Sequence, residues 1–370
     1  MYEQQSLGSL LYIALYGASA MLSLAACFYL LFRRSNAIAP DVESPVRLRR
    51  WTAAFFASMS LSHAWYLPVA FHTSHEDIML SYAVGAILDF MTLIPLAIVV
   101  LLVMLQDRRR PLWPAFAVAS PFVVGLAVCG ISRNYAVLPI YYGCYLLLGI
   151  ALFIYMVRAT RQYGRWLHDN YADLEHKEVW QSLVVMAVIL LMFGIYSFDI
   201  KGAAFKYATQ LNDIILTCFL LWRVETLSDL SIAANDADEE PDASKTMEDN
   251  AQTSTVRSNI GPLLKQYCEE PQIYLQHDIS VTQLAQLIGT NRLYLSKYFA
   301  MQGTTYNAYI NGLRIQHFIN RYHESVATGR SVIAKQLAHQ SGFRSYSTFS
   351  AAFKQIMGTT ATEWMRNTAG

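Results

Sequence analysis

The side chains best suited to bind a charged partner lie in two short C-terminal stretches that combine basic and hydroxyl groups. The first contains Arg292, Leu293, Ser296 and Lys297, and the second contains Arg344, Ser345, Tyr346 and Ser347. Guanidinium and ammonium groups donate hydrogen bonds to phosphate oxygens or to the edges of guanine bases. From residue 259 to residue 370, ten Lys and Arg side chains stand against five Asp and Glu side chains. This pattern predicts binding of double-stranded DNA.

Four polar side chains interrupt apolar stretches in the N-terminal part of the chain: His63, Asp89, Asn212 and Asp213. Ionisable groups are costly in hydrocarbon, so we expect them to face the interior of a helix bundle or a wet cavity. One interpretation makes them a site that detects a signal. The other makes them hydrogen-bonding partners that hold neighbouring helices together.

No pattern in the sequence predicts catalysis or a bound metal. The cluster His72, His75, Glu76 and Asp77 lacks the H-E-x-x-H spacing that places two His ligands on one helix face. Neither a G-x-S-x-G motif nor a Gly-rich phosphate-binding loop is present. We therefore expect the cluster to be a short polar loop, and we expect no enzymatic activity, no metal and no cofactor.

The N-terminal part of the chain is dominated by apolar runs. Hydrophobic residues make up 54% of the sequence, which exceeds what one soluble core requires. Seven runs are long enough to cross about 30 Å of hydrocarbon as helices. They cover residues 10–32, 51–71, 80–105, 112–131, 137–157, 179–198 and 205–222. The sequence therefore predicts a polytopic bundle of about seven transmembrane helices.

Basic residues are concentrated in alternate loops between these runs. The basic loops contain Arg33, Arg34, Arg47, Arg49 and Arg50, then Arg108, Arg109 and Arg110, and then Arg158, Arg161, Arg165 and Lys177. Lys and Arg accumulate on the cytoplasmic side of membrane proteins. Seven spans with this charge pattern predict an N-terminus outside the cell and a cytoplasmic C-terminus. After the last run, residues 226–258 are acidic and almost free of large apolar side chains, which predicts a disordered tether.

The C-terminal part contains an internal repeat. Leu284, Ala285 and Gly289 recur 53 residues later as Leu337, Ala338 and Gly342, and Leu295 and Phe299 recur 54 residues later as Phe349 and Phe353. In each copy the small residue lets two helices approach, the Gly permits a positive φ between them, and the apolar pair is buried. We expect Ser280 and Gln283 to form a capping box, and Asn291 to cap the next helix. Each copy is therefore predicted to be a helix-turn-helix motif.

These residues resemble the DNA-binding domain of the AraC family. The resemblance covers residues 262–366 and rests on the repeat, on Tyr294, Ser296, Lys297, Gly303, Arg314, Phe343, Lys354 and Gly358, and on their spacing. It implies seven helices, with two recognition helices joined by a long helix near residues 306–324 and inserted into successive major grooves. Arg314 is expected to fasten the long helix rather than to contact DNA.

Three positions depart from the pattern of the family. Ala361 stands where members often have Pro, Phe318 stands where they have a small residue, and Arg344 stands where Ser is more common. We therefore expect Ser345 to cap the second recognition helix instead. The departures affect local geometry and DNA sequence preference rather than the fold.

The sequence thus predicts an all-α protein with a transmembrane bundle in residues 1–225, a tether in residues 226–258 and a DNA-binding domain in residues 259–370. The expected function is that of a one-component transcription activator in the inner membrane of a bacterial cell. Its expected partners are promoter DNA, RNA polymerase, the lipid bilayer, a second copy of the chain, and a small molecule or membrane protein as the signal. The alternatives are a passive anchor or platform for a partner protein, and a transporter or intramembrane enzyme with a DNA-binding appendage.

Overall fold

The structure is a computed structural model in which residues 7–33, 35–40, 42–106, 111–134, 136–185, 187–188, 203–230, 260–329 and 333–368 are described. Within these ranges the regular structure is helical, together with one isolated antiparallel bridge between Tyr171 and Ser280. The predicted all-α class is confirmed. The chain divides into two compact units. The first contains Met1–Arg161 and Val179–Ser231, and the second contains Gln162–Glu178 and Ile232–Gly370.

The first unit is built from long helices rich in Leu, Ala and Val. They are α1 (Leu7–Phe32), α2 (Val46–Trp65), α3 (His75–Met91), α4 (Leu93–Met104), α5 (Trp113–Ser132), α6 (Leu138–Asn170) and α7 (Ala203–Thr226). Helix α1 packs against α2 and α7, α2 packs against α4, and α3 packs against α5. The last turns of α6, from Gln162 onward, belong to the second unit.

Within the described residues, four helical segments are long and apolar enough to cross a membrane: Leu10–Phe32, His75–Met104, Trp113–Ser132 and Pro139–Asn170. The second predicted span, residues 51–71, is not one helix, because α2 ends at Trp65 and a 3-10 turn follows at Leu67–Ala70. The last predicted span lies in α7, and neither α2 nor α7 is among the four segments. The predicted span at residues 179–198 lies largely outside the described residues, as does most of the acidic tether. The count of seven spans therefore stays a prediction.

The predicted third span is not one continuous helix. It is interrupted at Thr92, whose backbone (φ −125°, ψ −67°) leaves helical geometry between α3 and α4. Pro95 explains the interruption, because its nitrogen carries no hydrogen to donate to the carbonyl of Met91 four residues earlier. At the end of α3 the Leu88 carbonyl accepts from both the N–H of Thr92 at 3.0 Å and its hydroxyl at 2.7 Å.

Contacts between loops divide the first unit into two ends. At one end, Arg133 after α5 forms an ion pair with Glu76 in the first turn of α3. At the other end, Gln106 after α4 donates to the carbonyl of Ser228 at 2.8 Å, and the Asp229 N–H donates to the carbonyl of Glu43 at 2.8 Å. This grouping agrees with the alternation of loops that the basic residues predict.

The C-terminal end of α7 is held by the loop after α1. The Glu225 carboxylate accepts hydrogen bonds from the N–H groups of Ala37 and Ile38, both at 2.9 Å. The Asn36 amide donates to the Glu225 carbonyl at 2.9 Å, and Arg49 donates to Asn36 Oδ1 at 2.8 Å. These hydrogen bonds connect the end of α7 to the loop between α1 and α2.

The second unit contains short helices around one long helix. Residues 260–264 are helical and continue as a π-helical turn, Lys265–Glu269, which precedes a 3-10 turn at Ile273–Leu275. The α-helices that follow are α8 (Val281–Leu287), α9 (Arg292–Met301), α10 (Tyr306–Ala327), α11 (Ala334–Gln340), α12 (Tyr346–Met357) and α13 (Ala361–Thr368).

Helix α10 contributes to both hydrophobic cores of the second unit. Its first half packs with Leu284 and Phe299 through Ile310, and its second half packs with Phe349 through Phe318. The rings of Phe318 and Phe349 lie 4.5 Å apart, and Phe318 is fully buried. A large residue at this position therefore fills the second core, although the family pattern favours a small one.

Candidate DNA-binding surface and membrane polar cluster

The first helix-turn-helix motif, α8 and α9, has the caps that the sequence predicts. Ser280 Oγ accepts from the Gln283 N–H at 3.3 Å, and Gln283 Oε1 accepts from the Ser280 N–H at 2.9 Å. Gly289 follows α8 with φ +71°, and Asn291 Oδ1 accepts from the Tyr294 N–H at 3.0 Å to begin α9. The capping box and the Asn291 cap are confirmed.

The second motif, α11 and α12, repeats this arrangement with one difference. Gly342 follows α11 with φ +86°, and Ser345 Oγ accepts from the Thr348 N–H at 3.3 Å. Ser345 therefore caps α12 in place of Arg344, as predicted. Helix α11 begins at Ile333 with no side-chain cap, so its start depends more on packing than that of α8.

The predicted contact residues lie in the first two turns of α9 and at or just before the first turn of α12. Leu293, Lys297 and Ser347 are exposed, whereas Arg292, Ser296, Arg344, Ser345 and Tyr346 are half-buried. Two of them also have structural roles, because Ser345 forms the cap and the Tyr346 ring packs 5.5 Å from the Phe349 ring. Arg344 Nη1 lies 3.5 Å from Asp278 Oδ1. The two stretches therefore share one position in the repeated motif, at the start of its second helix.

Arg314 on α10 is fully buried and connects the two motifs. Its Nε donates to the carbonyl of Tyr274 at 2.7 Å, and its Nη2 donates to the carbonyl of Gln276 at 2.6 Å. The guanidinium carbon lies 5.6 Å from the centre of the Phe343 ring, which belongs to the second core. Burial lowers the pKa of Arg314 from its usual value. These contacts agree with the expected role of Arg314 in fastening the long helix.

The structure brings His63 and Asp213 together in the first unit. His63 is buried, and its Nε2 lies 3.1 Å from Gln210 Oε1 and 3.9 Å from Asp213 Oδ2. Its Nδ1 lies 2.9 Å from the carbonyl oxygen of Met59, and its ring centre lies 4.7 Å from that of Tyr16. With the Gln210 amide in this orientation, both ring nitrogens face oxygen atoms. These contacts of His63 join α2 to α7.

The other two polar residues of the predicted membrane site have different surroundings. Asp89 accepts hydrogen bonds from Trp65 Nε1 at 3.1 Å and from the Tyr66 hydroxyl at 2.9 Å. Asn212 is half-buried next to Asp213 on α7. Sequence reasoning did not single out Gln210, although its position three residues before Asp213 places it on the same helix face. It also missed Trp65 and Tyr66, which no spacing pattern connects to Asp89.

Comparison with known proteins gives one family model that covers both helix-turn-helix motifs, from α8 to α13, and two similar curated proteins. Residues 284–367 match a family model described as a helix-turn-helix domain. Over 76 residues the chain is 38% identical to the TCP pilus virulence regulatory proteins of two Vibrio cholerae serotype O1 strains, Classical Ogawa 395 and El Tor Inaba N16961. The matches cover 20% of this chain and 26% of each relative, so the chain spans about a quarter of the length of these curated relatives. No solved structure matches. The C-terminal helix-turn-helix domain expected from the resemblance to the AraC family is confirmed.

Proposed function

We propose that this chain is a membrane-anchored transcription activator that binds specific DNA sequences through its two helix-turn-helix motifs. The observation that carries the proposal is the pair of capped motifs, each with basic residues at the start of its second helix, in a chain that also has helices of membrane length. The matched Vibrio cholerae proteins are named as regulatory proteins, which supports the same function. No enzymatic step is part of the proposal.

In this proposal residues 1–225 lie in the inner membrane, residues 226–258 are a tether, and residues 259–370 bind promoter DNA in the cytoplasm. The division of loops into two ends supports the orientation, because Glu43, Gln106 and Ser228 share one end. A second copy of the chain would raise affinity, since two tethered domains reach neighbouring half-sites at high effective concentration. RNA polymerase is the proposed protein partner at the promoter.

The proposal predicts that basic residues at the starts of α9 and α12 determine promoter occupancy. Replacing Arg292, Lys297 and Arg344 together with Ala removes three contacts worth about 1–3 kcal/mol each. We expect at least a tenfold loss of occupancy at specific promoters, measured by chromatin immunoprecipitation and transcript profiling. The matched control replaces Lys265, Arg321 and Arg366, which are exposed elsewhere on the second unit and remove the same charge. Equal occupancy in the two variants would contradict specific DNA binding at these helix starts.

We further propose that the polar cluster around His63 is the site where the membrane part detects its signal. The alternative of a passive anchor is favoured by one observation, namely that His63 and Asp89 are already partnered by neighbouring side chains. Replacing His63 with Gln and Asp213 with Asn removes the imidazole and the carboxylate that face each other while retaining polar side chains. A sensing role predicts altered regulon expression at unchanged protein level. The control, Asp77→Asn at an exposed position in the first turn of α3, is expected to have no effect. A wild-type response in the double variant would support the anchor.

A further inference from the structure

We infer that residues 171–177, here called the docking segment, bind to the DNA-binding domain of the same chain and block its DNA-binding surface. The docking segment has to dissociate from the domain before DNA can bind. The segment follows α6 and belongs to the second unit together with the helix-turn-helix motifs. The inference rests on the proposed DNA binding and adds a regulatory contact to it. The sequence analysis assigns this segment to the membrane part of the chain. Its contacts with the helix-turn-helix motifs are therefore seen only in the structure.

The docking segment is inserted between the first motif and α10. The Asn307 amide donates to the carbonyls of Tyr171 at 3.1 Å and of Ala172 at 2.7 Å. The Asn311 amide, one turn further along α10, donates to the carbonyl of Ala172 at 3.3 Å. Tyr171 also forms the antiparallel bridge with Ser280, and the side chain of Ala172 is fully buried in the first core. The segment is therefore bound through its backbone, as an extended peptide is bound in a groove.

The same region reaches the two arginines that are proposed to contact DNA. The guanidinium of Arg292 lies 6.0 Å from the ring centre of Trp166, near the end of α6. Lys177 Nζ lies 3.6 Å from Asp278 Oδ1, which also lies 3.5 Å from Arg344 Nη1. The layer formed by Trp166 and the docking segment thus neighbours both predicted contact stretches. A DNA duplex that enters at α9 has to displace Trp166 from Arg292.

A carboxylate of the docking segment lies beside the first turn of α12. Glu175 Oε2 accepts a hydrogen bond from the Thr348 hydroxyl at 3.1 Å. Hydroxyl groups and N–H groups at the start of a helix are suited to bind phosphate oxygens. Phosphate and carboxylate carry like charge, so Glu175 and the DNA backbone exclude each other from this position. Competition therefore operates at both motifs, through an aromatic ring at the first and a carboxylate at the second.

The docked arrangement also contains groups that favour its release. Asp173 is buried, and burial raises the pKa of its carboxyl group above the usual value. Lys177 is buried as well, with Asp278 as its ion-pair partner. Burying ionised groups offsets much of the stabilisation that the backbone hydrogen bonds provide. The docking segment is consequently bound by specific contacts, but the net free energy of its binding is small.

The connection to α6 gives the membrane part a direct route to the docking segment. Helix α6 is a single helix of 33 residues from Leu138 to Asn170, about 50 Å long at 1.5 Å per residue. Most of it is a candidate membrane span, and the docking segment starts at the residue after its end. A tilt or rotation of α6 therefore pulls on Tyr171 without any change in the tether.

The test compares two variants of the full chain in lipid nanodiscs. Ala172→Glu places a charge in the first core and expels the docking segment, whereas Gln162→Glu adds the same charge at an exposed position of α6. Binding is measured by anisotropy of a fluorescein-labelled duplex of mixed sequence, about three helical turns long, at low salt. We expect Ala172→Glu to bind at least tenfold more tightly than wild type, since apparent affinity scales with the undocked fraction, and Gln162→Glu to bind as wild type does.

Unchanged affinity of Ala172→Glu beside measurable wild-type binding would overturn the inference and leave the proposed function intact. No binding by any of the three chains would overturn the proposed function itself, and the inference with it. Because Ala172→Glu could also disturb folding, hydrogen exchange of the unsubstituted chain provides the second measurement. Saturating duplex is expected to accelerate amide exchange in residues 171–177. Unchanged or slower exchange in the DNA-bound chain would show that the docking segment stays in place, contrary to the inference.

Discussion

Replacing Gly342 with Ala destabilises the second unit by about 3 kcal/mol, whereas the same replacement at Gly289 costs about 1 kcal/mol. The two glycines are equivalent in the repeat, with φ of +86° and +71°, so both variants carry the strain of a left-handed backbone. A Cβ on Gly342 would in addition lie 2.8 Å from Leu275 Cα and 2.9 Å from its carbonyl oxygen. Among the described residues, a Cβ on Gly289 meets no atom within 4 Å.

The measurement is the urea midpoint at which the C-terminal unit of the full chain loses protease resistance. With a slope of about 1–3 kcal/mol per molar urea, the Gly342→Ala midpoint should fall by roughly 1 M or more, and the Gly289→Ala shift should be clearly smaller. Gly289 serves as the matched control, because it reports the backbone strain alone. Equal shifts for the two variants would contradict the close approach of the Leu275 backbone to Gly342.

Replacing Arg314 with Met has an effect of similar size, about 3–5 kcal/mol. Methionine fills much of the volume of the stem but leaves the buried Tyr274 carbonyl without its donor. The partly buried hydrogen bond to the Gln276 carbonyl is lost as well. The guanidinium also packs on Phe343, so both motifs lose contacts. Arg321→Met is the matched control on the same helix, because Arg321 is exposed and its partner is the exposed Glu324 at 3.4 Å.

An exposed ion pair of this kind contributes about 0–1 kcal/mol, so Arg321→Met should leave the urea midpoint nearly unchanged. Since a domain is stable by about 5–15 kcal/mol in total, Arg314→Met should leave the second unit marginal and abolish DNA binding at 37 °C. A midpoint for Arg314→Met within experimental error of that for Arg321→Met would mean that the buried guanidinium has little part in joining the motifs.

The sequence predicts the second unit well because its determinants are local. Caps such as Asn291 and Ser345 act within three residues, and the positive φ at position 342 favours Gly. Because the motif occurs twice, each sequence pattern can be checked against its second copy, and a wrong assignment in one motif would disagree with the other. Helix α10 was predicted to end near residue 324 and ends at Ala327, a difference typical of helix termini.

The contacts that sequence reasoning missed join residues far apart in the chain. Asn307 binds the carbonyl of Ala172 across 135 positions, and His63 meets Gln210 across 147 positions. Every residue has a backbone carbonyl, so a hydrogen bond to a carbonyl acceptor leaves no signature in the sequence. No sequence pattern therefore indicates that the docking segment binds to the part of the chain that contains the helix-turn-helix motifs. The break at Thr92 is of another kind, because it follows from Pro95 and was open to prediction.

The length of α10 has a consequence for the architecture of target promoters. Its 22 residues span about 33 Å, close to the pitch of B-form DNA, about 34 Å. Arg314 contacts both the loop before the first motif and the Phe343 ring of the second core. The helix therefore keeps the two motifs at a fixed separation. Under the proposed function, the two blocks of bases read by one chain lie one turn apart on the same face of the duplex. Inserting about half a helical turn of DNA between the two blocks would place one of them on the opposite face of the duplex, where the protein could not contact it, even with its base sequence unchanged.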